Sequence, residues 1–209
     1  MVITAIDWET TGKIPTRIPN ITHPAFPRAV SVAAIQIGPM WQSVSEVVHI
    51  IKPEGFVIPE DAIRVHGITN ERALTDGMAA RCVLAQLNVL FRTSDVVLAH
   101  NLQFDRSIYL SECSKLGVEP CMPQRQMCTM LVGATLLKIP GKYGDYKWPD
   151  LEHLFTHLFG RDNDVYKKIF GHRDIHDARD DALAAALCGV KMLAARDGVS
   201  LHPKSTGGG

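Results

Sequence analysis

The sequence lacks an excess of charge of either sign. Its 209 residues include 22 Lys and Arg and 22 Asp and Glu, which gives a formal net charge of zero at pH 7. This balance argues against a basic protein that coats nucleic acid non-specifically, and against an acidic solvating tail. It leaves open an enzyme that acts on nucleic acid, because metal ions can hold phosphate groups without a large basic excess.

Long apolar runs and a cysteine framework are also missing. No apolar stretch reaches the roughly 18 residues of a membrane-spanning helix. The first residues, VITAIDWE after Met1, do not resemble a secretory signal. The five cysteines have no C-x-x-C or C-x-x-H spacing, which argues against a zinc site or a disulfide framework. We therefore expect a cytoplasmic protein without a membrane partner.

The first part of the chain predicts three strands. The apolar run at 2–6 ends in the polar cluster DWETTG, and the run at 29–38 is typical of a buried strand. A third strand is predicted at 44–51, and its short connection to the second indicates an antiparallel meander. Between the first two strands, residues 13–28 hold four prolines and predict an extended surface loop.

The rest of the chain alternates between helices and strands. The predicted elements are a helix at 82–91, a strand at 95–99, a helix at 101–115 with Asn101 as its N-cap, a strand at 125–130 leading into a helix that ends at 137, and helices at 150–158 and 178–195. This order indicates an α/β fold, in which a mixed sheet is flanked by helices. We predict one domain at 1–200 and a flexible C-terminal tail at 201–209.

Two carboxylates, Asp7 and Glu9, end the first predicted strand. Residues two apart on a strand point to the same face, so the two side chains face one point. Adjacent carboxylates repel each other unless one is protonated or a cation lies between them, and Mg²⁺ or Mn²⁺ would remove that conflict. Taken alone, this short cluster is more often a strand that simply ends in solvent than a metal site.

Two further polar clusters lie at predicted helix starts. Asp105, in AHNLQFD, falls in the first turn of the helix that follows strand 95–99, where a carboxylate also suits the helix dipole. His176 precedes the last helix, in which Asp180 and Asp181 are both candidates, because helical periodicity does not decide between them. The small neighbours of Asp181 along that helix favour a close approach to the sheet.

In chain order the three clusters read D-x-E, H-N-x-x-F-D and H-x-A-x-x-D. This pattern resembles the DEDDh (DnaQ-like) family of 3′→5′ exonucleases, which includes the proofreading subunit of the bacterial replicative polymerase and ribonuclease T. The continuation E-T-T-G, the segment V-H-G-I-T at 65–69 and the segment W-P-D-L-E-H-L-F-T-H-L-F-G at 148–160 are similar to further features of the family. The resemblance spans residues 7–181.

The resemblance implies a ribonuclease H-like fold and a set of catalytic residues. Four carboxylates, Asp7, Glu9, Asp105 and Asp181, would bind two Mg²⁺ or Mn²⁺ ions per active site. His176 would be the general base, since a histidine pKa near 6.5 leaves it partly neutral at pH 7 and able to accept a proton from water. The implied products are nucleoside 5′-monophosphates released from a 3′ end.

Substrate contacts are expected by analogy with the same family. Trp8, Thr10 and Thr11 would approach the terminal nucleotide through their backbone, and His66 and Asn101 would contact phosphate or sugar. For His66, hydrogen bonding to nearby backbone is an equal alternative. Further candidates for contacts with bases and phosphates, for which packing or solvation is the commoner role, are Phe26, Trp41, Trp148, Lys142, Lys147, Lys167 and Lys168.

We therefore expect a metal-dependent exonuclease that acts on single-stranded 3′ ends of DNA or RNA, with a polymerase or another nucleic-acid-processing protein considered as a partner. One alternative is an RNA-specific 3′ trimming or oligoribonuclease activity, because carboxylate chemistry is indifferent to the 2′ hydroxyl. The other is a non-catalytic, polymerase-associated module that binds nucleic acid. Such a module has no physical need for four converging negative charges.

Overall fold

The computed structural model describes residues 1–16, 20–38, 43–171 and 175–196. Within these residues the fold is built on one five-stranded sheet with the strand order β3-β2-β1-β4-β5. The strands are β1 (Ile3–Thr10), β2 (Ala29–Ile37), β3 (Ser43–Ile50), β4 (Val96–Ala99) and β5 (Gln126–Cys128). The sheet is mixed: β1, β2 and β3 pair antiparallel, whereas β4 pairs parallel to both β1 and β5. The predicted fold class is confirmed.

Helices cover both faces of the sheet. They are α1 (Glu60–His66), α2 (Asn70–Asp76), α3 (Ala80–Arg92), α4 (Leu102–Leu116), α5 (Thr129–Leu137), α6 (Leu151–Phe159), α7 (Asp164–Phe170) and α8 (Ala178–Arg196). One apolar cluster joins α6, α7 and α8 to the face that carries Ile3 and Ala5. A second cluster joins α3 and α4 to the opposite face, which carries Ile6 and Trp8. Because side chains alternate along β1, this one strand contributes residues to the apolar clusters on both faces of the sheet.

The last helix, α8, packs close to the sheet because its facing residues are small. Ala182, Ala185 and Ala186 are fully or almost fully buried, and a Cβ added to Gly189 would collide with the side chain of Leu98 on β4. A larger residue at position 189 would push the helix away from the strand. The short side chains thus set the distance between the N-terminal end of α8 and the end of β1.

Three short helices and the boundaries of two strands differ from the prediction. Each of α1, α2 and α7 has only seven residues, too few for a periodic apolar pattern, and helices of this length depend on tertiary packing. The strand predicted at 125–130 is limited to Gln126–Cys128, because the chain turns into α5 at Thr129. The first strand is longer than its apolar run and includes Asp7 and Glu9 within its hydrogen-bonded ladder.

The proline-rich segment is not simply a surface loop. Phe26 is 5% exposed and packs in the α3–α4 layer. Its role is therefore packing rather than base stacking. Arg28 donates from Nε to Oε1 of buried Glu112 on α4 at 2.8 Å, and the Ser111 hydroxyl donates to the carbonyl of Ile21. The segment is therefore anchored along α4.

Two predictions lie outside the described residues: the flexible tail at 201–209 and base stacking by Trp41. The limits of a single domain at 1–200 stay a prediction. Among the residues that the structure does describe, no helix is both long enough and apolar enough to cross a membrane.

Candidate active site

Asp7 and Glu9 lie at the end of β1, on the face that α8 covers. Both are half-buried, and they pair across the sheet with Ala33 and Ser31 of β2. The register between β1 and β2 shifts between Glu9 and Thr10. A bulge of this kind bends a strand and re-aims its side chains, and bulges are common beside active sites.

Asp105 lies in the first turn of α4 and is only 2% exposed. Burial raises its pKa well above the ordinary value for aspartate, and the negative charges of Glu9 and Asp181 raise it further. Hydrogen bonds from the backbone N–H groups of Asp105 itself and of Trp8 oppose this increase. The bond from Trp8 ties α4 to β1 at the residue between Asp7 and Glu9. Asp105 therefore lies close to the two carboxylates of β1.

On α8 the structure distinguishes Asp181 from Asp180. Asp181 is 7% exposed, whereas Asp180 is half-buried, and only Asp181 lies in a group of possible metal ligands among the described residues. Asp177 precedes this helix and caps its N-terminus, because its Oδ1 accepts hydrogen bonds from the N–H groups of Arg179 and Asp180. Asp181 therefore faces the end of β1, whereas Asp177 caps the start of α8.

His176 is exposed over 61% of its side chain, at the mouth of this group. Its Nδ1 lies 3.4 Å from Oδ2 of Asp181. Its backbone N–H donates to the carbonyl of Val65 at 2.9 Å, and Gly67 leaves room for the side chain of Ile175, which a Cβ at position 67 would touch at 3.0 Å. These contacts, which the sequence reasoning did not find, seat the His176 segment on the end of α1.

Three of these side chains can share one cation. Glu9, His176 and Asp181 each offer a ligand atom, and these atoms all lie within 4.8 Å of one another. Carboxylate oxygens suit hard divalent ions, and imidazole is a common partner ligand. Asp105 lies beside this group: burial raises its pKa, and the negative charges of Glu9 and Asp181 raise it further.

Four of the five predicted substrate contacts line one concavity beside Glu9. Its volume is about 570 Å³, and its lining includes Trp8, Thr10, Thr11 and His66. The indole of Trp8 is buried. The hydroxyl of Thr10 donates to the carbonyl of Gly12, and the hydroxyl of Thr11 accepts from the N–H of Arg28. Each of these two hydroxyls therefore already has a partner within the protein.

His66 is buried, but one of its ring nitrogens is unsatisfied. Nδ1 accepts a hydrogen bond from the N–H of Ile68 at 3.1 Å, which makes Nε2 the protonated nitrogen of the neutral ring. Among the described residues, no hydrogen bond of normal geometry reaches Nε2, and the Thr10 carbonyl is the backbone group that acts on the ring. Burial dominates and lowers the pKa of His66. The neutral ring therefore holds an unpaired donor next to Glu9.

Asn101 differs from its predicted role as a side-chain cap. It occupies the N-cap position of α4, but its side chain makes no capping hydrogen bond, and its backbone is left-handed with φ of 77°. Asparagine tolerates this conformation better than most residues, because its short polar side chain can bond locally. Asn101 is exposed and does not line the concavity that contains His66.

Comparison with known proteins identifies the family. The sequence profile of the RNase_T exonuclease family matches residues 4–188, which is most of the chain. The chain belongs to this exonuclease family. The match confirms the resemblance drawn from the three acidic clusters, all of which lie within it.

Solved structures with the same fold include several of E. coli exonuclease I. One, in complex with a 5cy-dA13 oligonucleotide, has 21% sequence identity and a TM-score of 0.66 over 93% of this chain. The zinc-bound form of the exonuclease I–single-stranded DNA complex has 22% identity and a TM-score of 0.66 over 94% of this chain. The exonuclease domain spans about two fifths of those chains, 40% and 41% respectively. No curated protein sequence matches it.

His100 is the histidine of the H-N-x-x-F-D pattern, to which the sequence analysis assigns no separate role. It follows β4, and its two ring nitrogens lie 3.1 Å from the Thr129 hydroxyl and 3.1 Å from the Pro149 carbonyl. Burial lowers its pKa, while the Pro149 carbonyl and the charges of Asp181 and Asp150 act in the opposite direction. His100 therefore joins the segment before α6 to the edge of the sheet that carries the carboxylates.

Proposed function

We propose that this exonuclease domain is a metal-dependent 3′→5′ exonuclease that releases nucleoside 5′-monophosphates from single-stranded ends. The observation that carries the proposal is the meeting of Glu9, Asp181 and His176 within 4.8 Å, beside the buried carboxylate of Asp105. These groups come from a strand and two helices far apart in the sequence. No fold requires such a collection of negative charge for its stability.

Two Mg²⁺ or Mn²⁺ ions are the proposed cofactors, and Asp7, Glu9, Asp105 and Asp181 are their proposed ligands. The donor set fits, because carboxylates are the preferred ligands of these hard ions. When bound, such ions lower the pKa of an attacking water and stabilise charge on the departing 3′ oxygen. The exonuclease I structure with bound zinc and single-stranded DNA supports metal binding by this fold.

His176 is the proposed general base. Its exposed ring can reach a water at the mouth of the site, and Asp181 beside Nδ1 leaves Nε2 on the outer side of the ring. The contact between the His176 backbone N–H and Val65 holds the ring there. A base positioned in this way accepts the proton of the attacking water and passes it to solvent.

The concavity beside Glu9 is the proposed site of the 3′-terminal nucleotide. Backbone groups of Trp8, Thr10 and Thr11 would bind it, and the unpaired Nε2–H of His66 would donate to a sugar or phosphate oxygen. Asn101 is proposed to contact the strand from the exposed edge at the start of α4. The oligonucleotide complexes of exonuclease I support a single-stranded substrate.

The test uses oligonucleotides labelled at the 5′ or the 3′ end, as single-stranded DNA, single-stranded RNA and duplexes. With Mn²⁺ we expect a ladder that shortens from the 3′ end, nucleoside 5′-monophosphate as the product, and no reaction in EDTA. Degradation of RNA alone would favour the trimming or oligoribonuclease alternative. Binding without degradation of any strand would contradict the proposal and favour the non-catalytic module.

A further inference from the structure

A small hairpin connects α5 to α6. The segment 139–148, which we call the aromatic hairpin, pairs Pro140 with Tyr146 in an isolated antiparallel bridge. The Gly141 N–H donates to the Asp145 carbonyl at 2.7 Å, and the Lys147 N–H donates to the Ile139 carbonyl at 2.9 Å. These cross-strand bonds give the segment a defined backbone shape, although none of the strands in the described part of the chain pairs with it.

The aromatic side chains of this hairpin are turned outward. Tyr143 is 85% exposed, Trp148 is 61% exposed and Tyr146 is 46% exposed. Together with Lys142 and Lys147 they line a shallow concavity of about 410 Å³. Three exposed rings on ten residues do nothing for the core, and exposed aromatic surface of this density marks a binding surface more often than a packing element.

The hairpin is positively charged in a chain whose formal net charge is zero. Lys138 adjoins it, Lys142 and Lys147 lie within it, and Asp145 is its single acidic residue. The Asp145 carboxylate folds back against Gly141, where an added Cβ would collide with it. The ammonium group of Lys142 lies 5.5 Å from the centre of the Tyr143 ring. A ring face and a cation are thus presented side by side.

The C-terminal end of the hairpin is tied to the edge of the sheet that carries the carboxylates. Its last residue, Trp148, is followed by Pro149, whose carbonyl lies 3.1 Å from Nε2 of His100. His100 comes directly after β4, and the charge of Asp181 acts on its ring. A strand whose 3′ end lies among the carboxylates could therefore continue onto the hairpin without leaving the protein surface.

We propose that the aromatic hairpin binds nucleotides upstream of the 3′ terminus of a single-stranded nucleic acid, through base stacking on its rings and phosphate contacts with its lysines. This inference rests on the proposed function for the direction of the strand. Rings stack on any base, and lysines contact any phosphate, so the site accepts DNA and RNA of any sequence. Paired bases hide their faces in the duplex, so the site selects single strands.

The test is fluorescence anisotropy with a 5′-labelled fifteen-nucleotide single strand, in EDTA so that the strand stays intact. One variant removes two rings, Tyr143→Ala with Trp148→Ala, and another removes two charges, Lys142→Ala with Lys147→Ala. The matched control is Arg92→Ala with Arg125→Ala, which removes two exposed positive charges at the entry ends of β4 and β5, away from the carboxylates.

We expect the ring variant to weaken binding by about tenfold or more, since stacking contributes 1–3 kcal/mol per base. The lysine variant should weaken binding and reduce the slope of log K against log salt concentration by about 0.7 per lysine. The control should bind within about twofold of the unaltered chain. Melting curves check folding, which these exposed substitutions should leave unchanged.

Unchanged affinity and salt slope in both hairpin variants would overturn the inference, as would an equal loss in the control. The outcome is separable from that of the proposed function. If the unaltered chain degrades no strand in Mn²⁺, the proposed function fails whatever the anisotropy shows. If it degrades strands while the hairpin variants bind them normally, only the inference about the hairpin fails.

Discussion

The polar groups at the two ends of β1 differ in charge and in hydrogen bonding. Near its start, Thr4 is buried, its hydroxyl lies 2.6 Å from that of Ser94, and it accepts a hydrogen bond from Nε2 of Gln36. The same Gln36 nitrogen also lies within hydrogen-bond distance of the Leu90 carbonyl and the Thr93 hydroxyl. Every member of this network is neutral and has a partner.

At the other end of β1, negative charges meet instead. Glu9, Asp105 and Asp181 act on one another, and burial raises the pKa of Asp105. Satisfied neutral groups stabilise a fold, whereas crowded carboxylates oppose it until a ligand neutralises them. The first network therefore stabilises the fold, whereas the second opposes it, as the proposed metal site requires.

The largest expected loss of activity comes from a substitution at the charged end of β1. Asp181→Asn should reduce kcat/KM by at least about 100-fold, the scale of removing one preorganised electrostatic group from an active site. The matched control is Asp180→Asn, one residue earlier on the same helix, which should stay within about threefold of the unaltered chain. Steady-state hydrolysis of a single strand measures both. Loss of activity in the control alone would reassign the site to Asp180.

His176→Ala should reduce kcat by about 100-fold, because a general base contributes 10²–10⁴, and it should leave Mn²⁺ affinity nearly unchanged. Calorimetric titration measures the affinity, with two ions expected per site when nucleotide is present. His157→Ala, an exposed histidine on α6, is the control for loss of an imidazole. A parallel loss of Mn²⁺ affinity would make His176 a ligand rather than the base.

At the neutral end, Gln36→Leu should lower the free energy of unfolding by about 1–3 kcal/mol, because buried partners lose a hydrogen bond. Denaturant unfolding measures this change. The activity of the folded variant should match that of the unaltered chain, since Gln36 lies at the end of the sheet away from the carboxylates. A fall in kcat without a fall in stability would show that the two ends are not independent.

The smallest expected change in stability is an increase. Asp105→Asn should raise the melting temperature in EDTA by about 2–4 °C, the shift that about 1 kcal/mol produces in a domain of this size, while abolishing most activity. The folded pKa of Asp105 is raised, so its ionised form opposes folding at neutral pH and its protonated form at low pH does not. The advantage of the variant should therefore shrink as the pH falls toward about 4.

Mn²⁺ provides the check on this stability change. It should raise the melting temperature of the unaltered chain by mass action and that of the Asp105→Asn variant by less. A variant that melts below the unaltered chain at neutral pH in EDTA would contradict the proposed crowding of charge.

Sequence patterns predicted much of the sheet because β1, β2 and β4 are buried apolar runs. The antiparallel pairing of β2 and β3 follows from their short connection, and α8 follows from a long alanine-rich segment. The short helices α1, α2 and α7 carry too little pattern to predict. The anchoring of residues 20–28 on α4 was missed because Arg28 and Glu112 are 84 positions apart.

The sequence by itself determined the family, the mixed sheet and the residue types of the site, because local periodicity and the ordered acidic clusters are written along the chain. Only the tertiary structure decided between Asp180 and Asp181, seated His176 on Val65, left Nε2 of His66 unpaired and turned the aromatic hairpin outward. Those outcomes depend on which distant segments pack against each other, and one-dimensional spacing does not contain those distances.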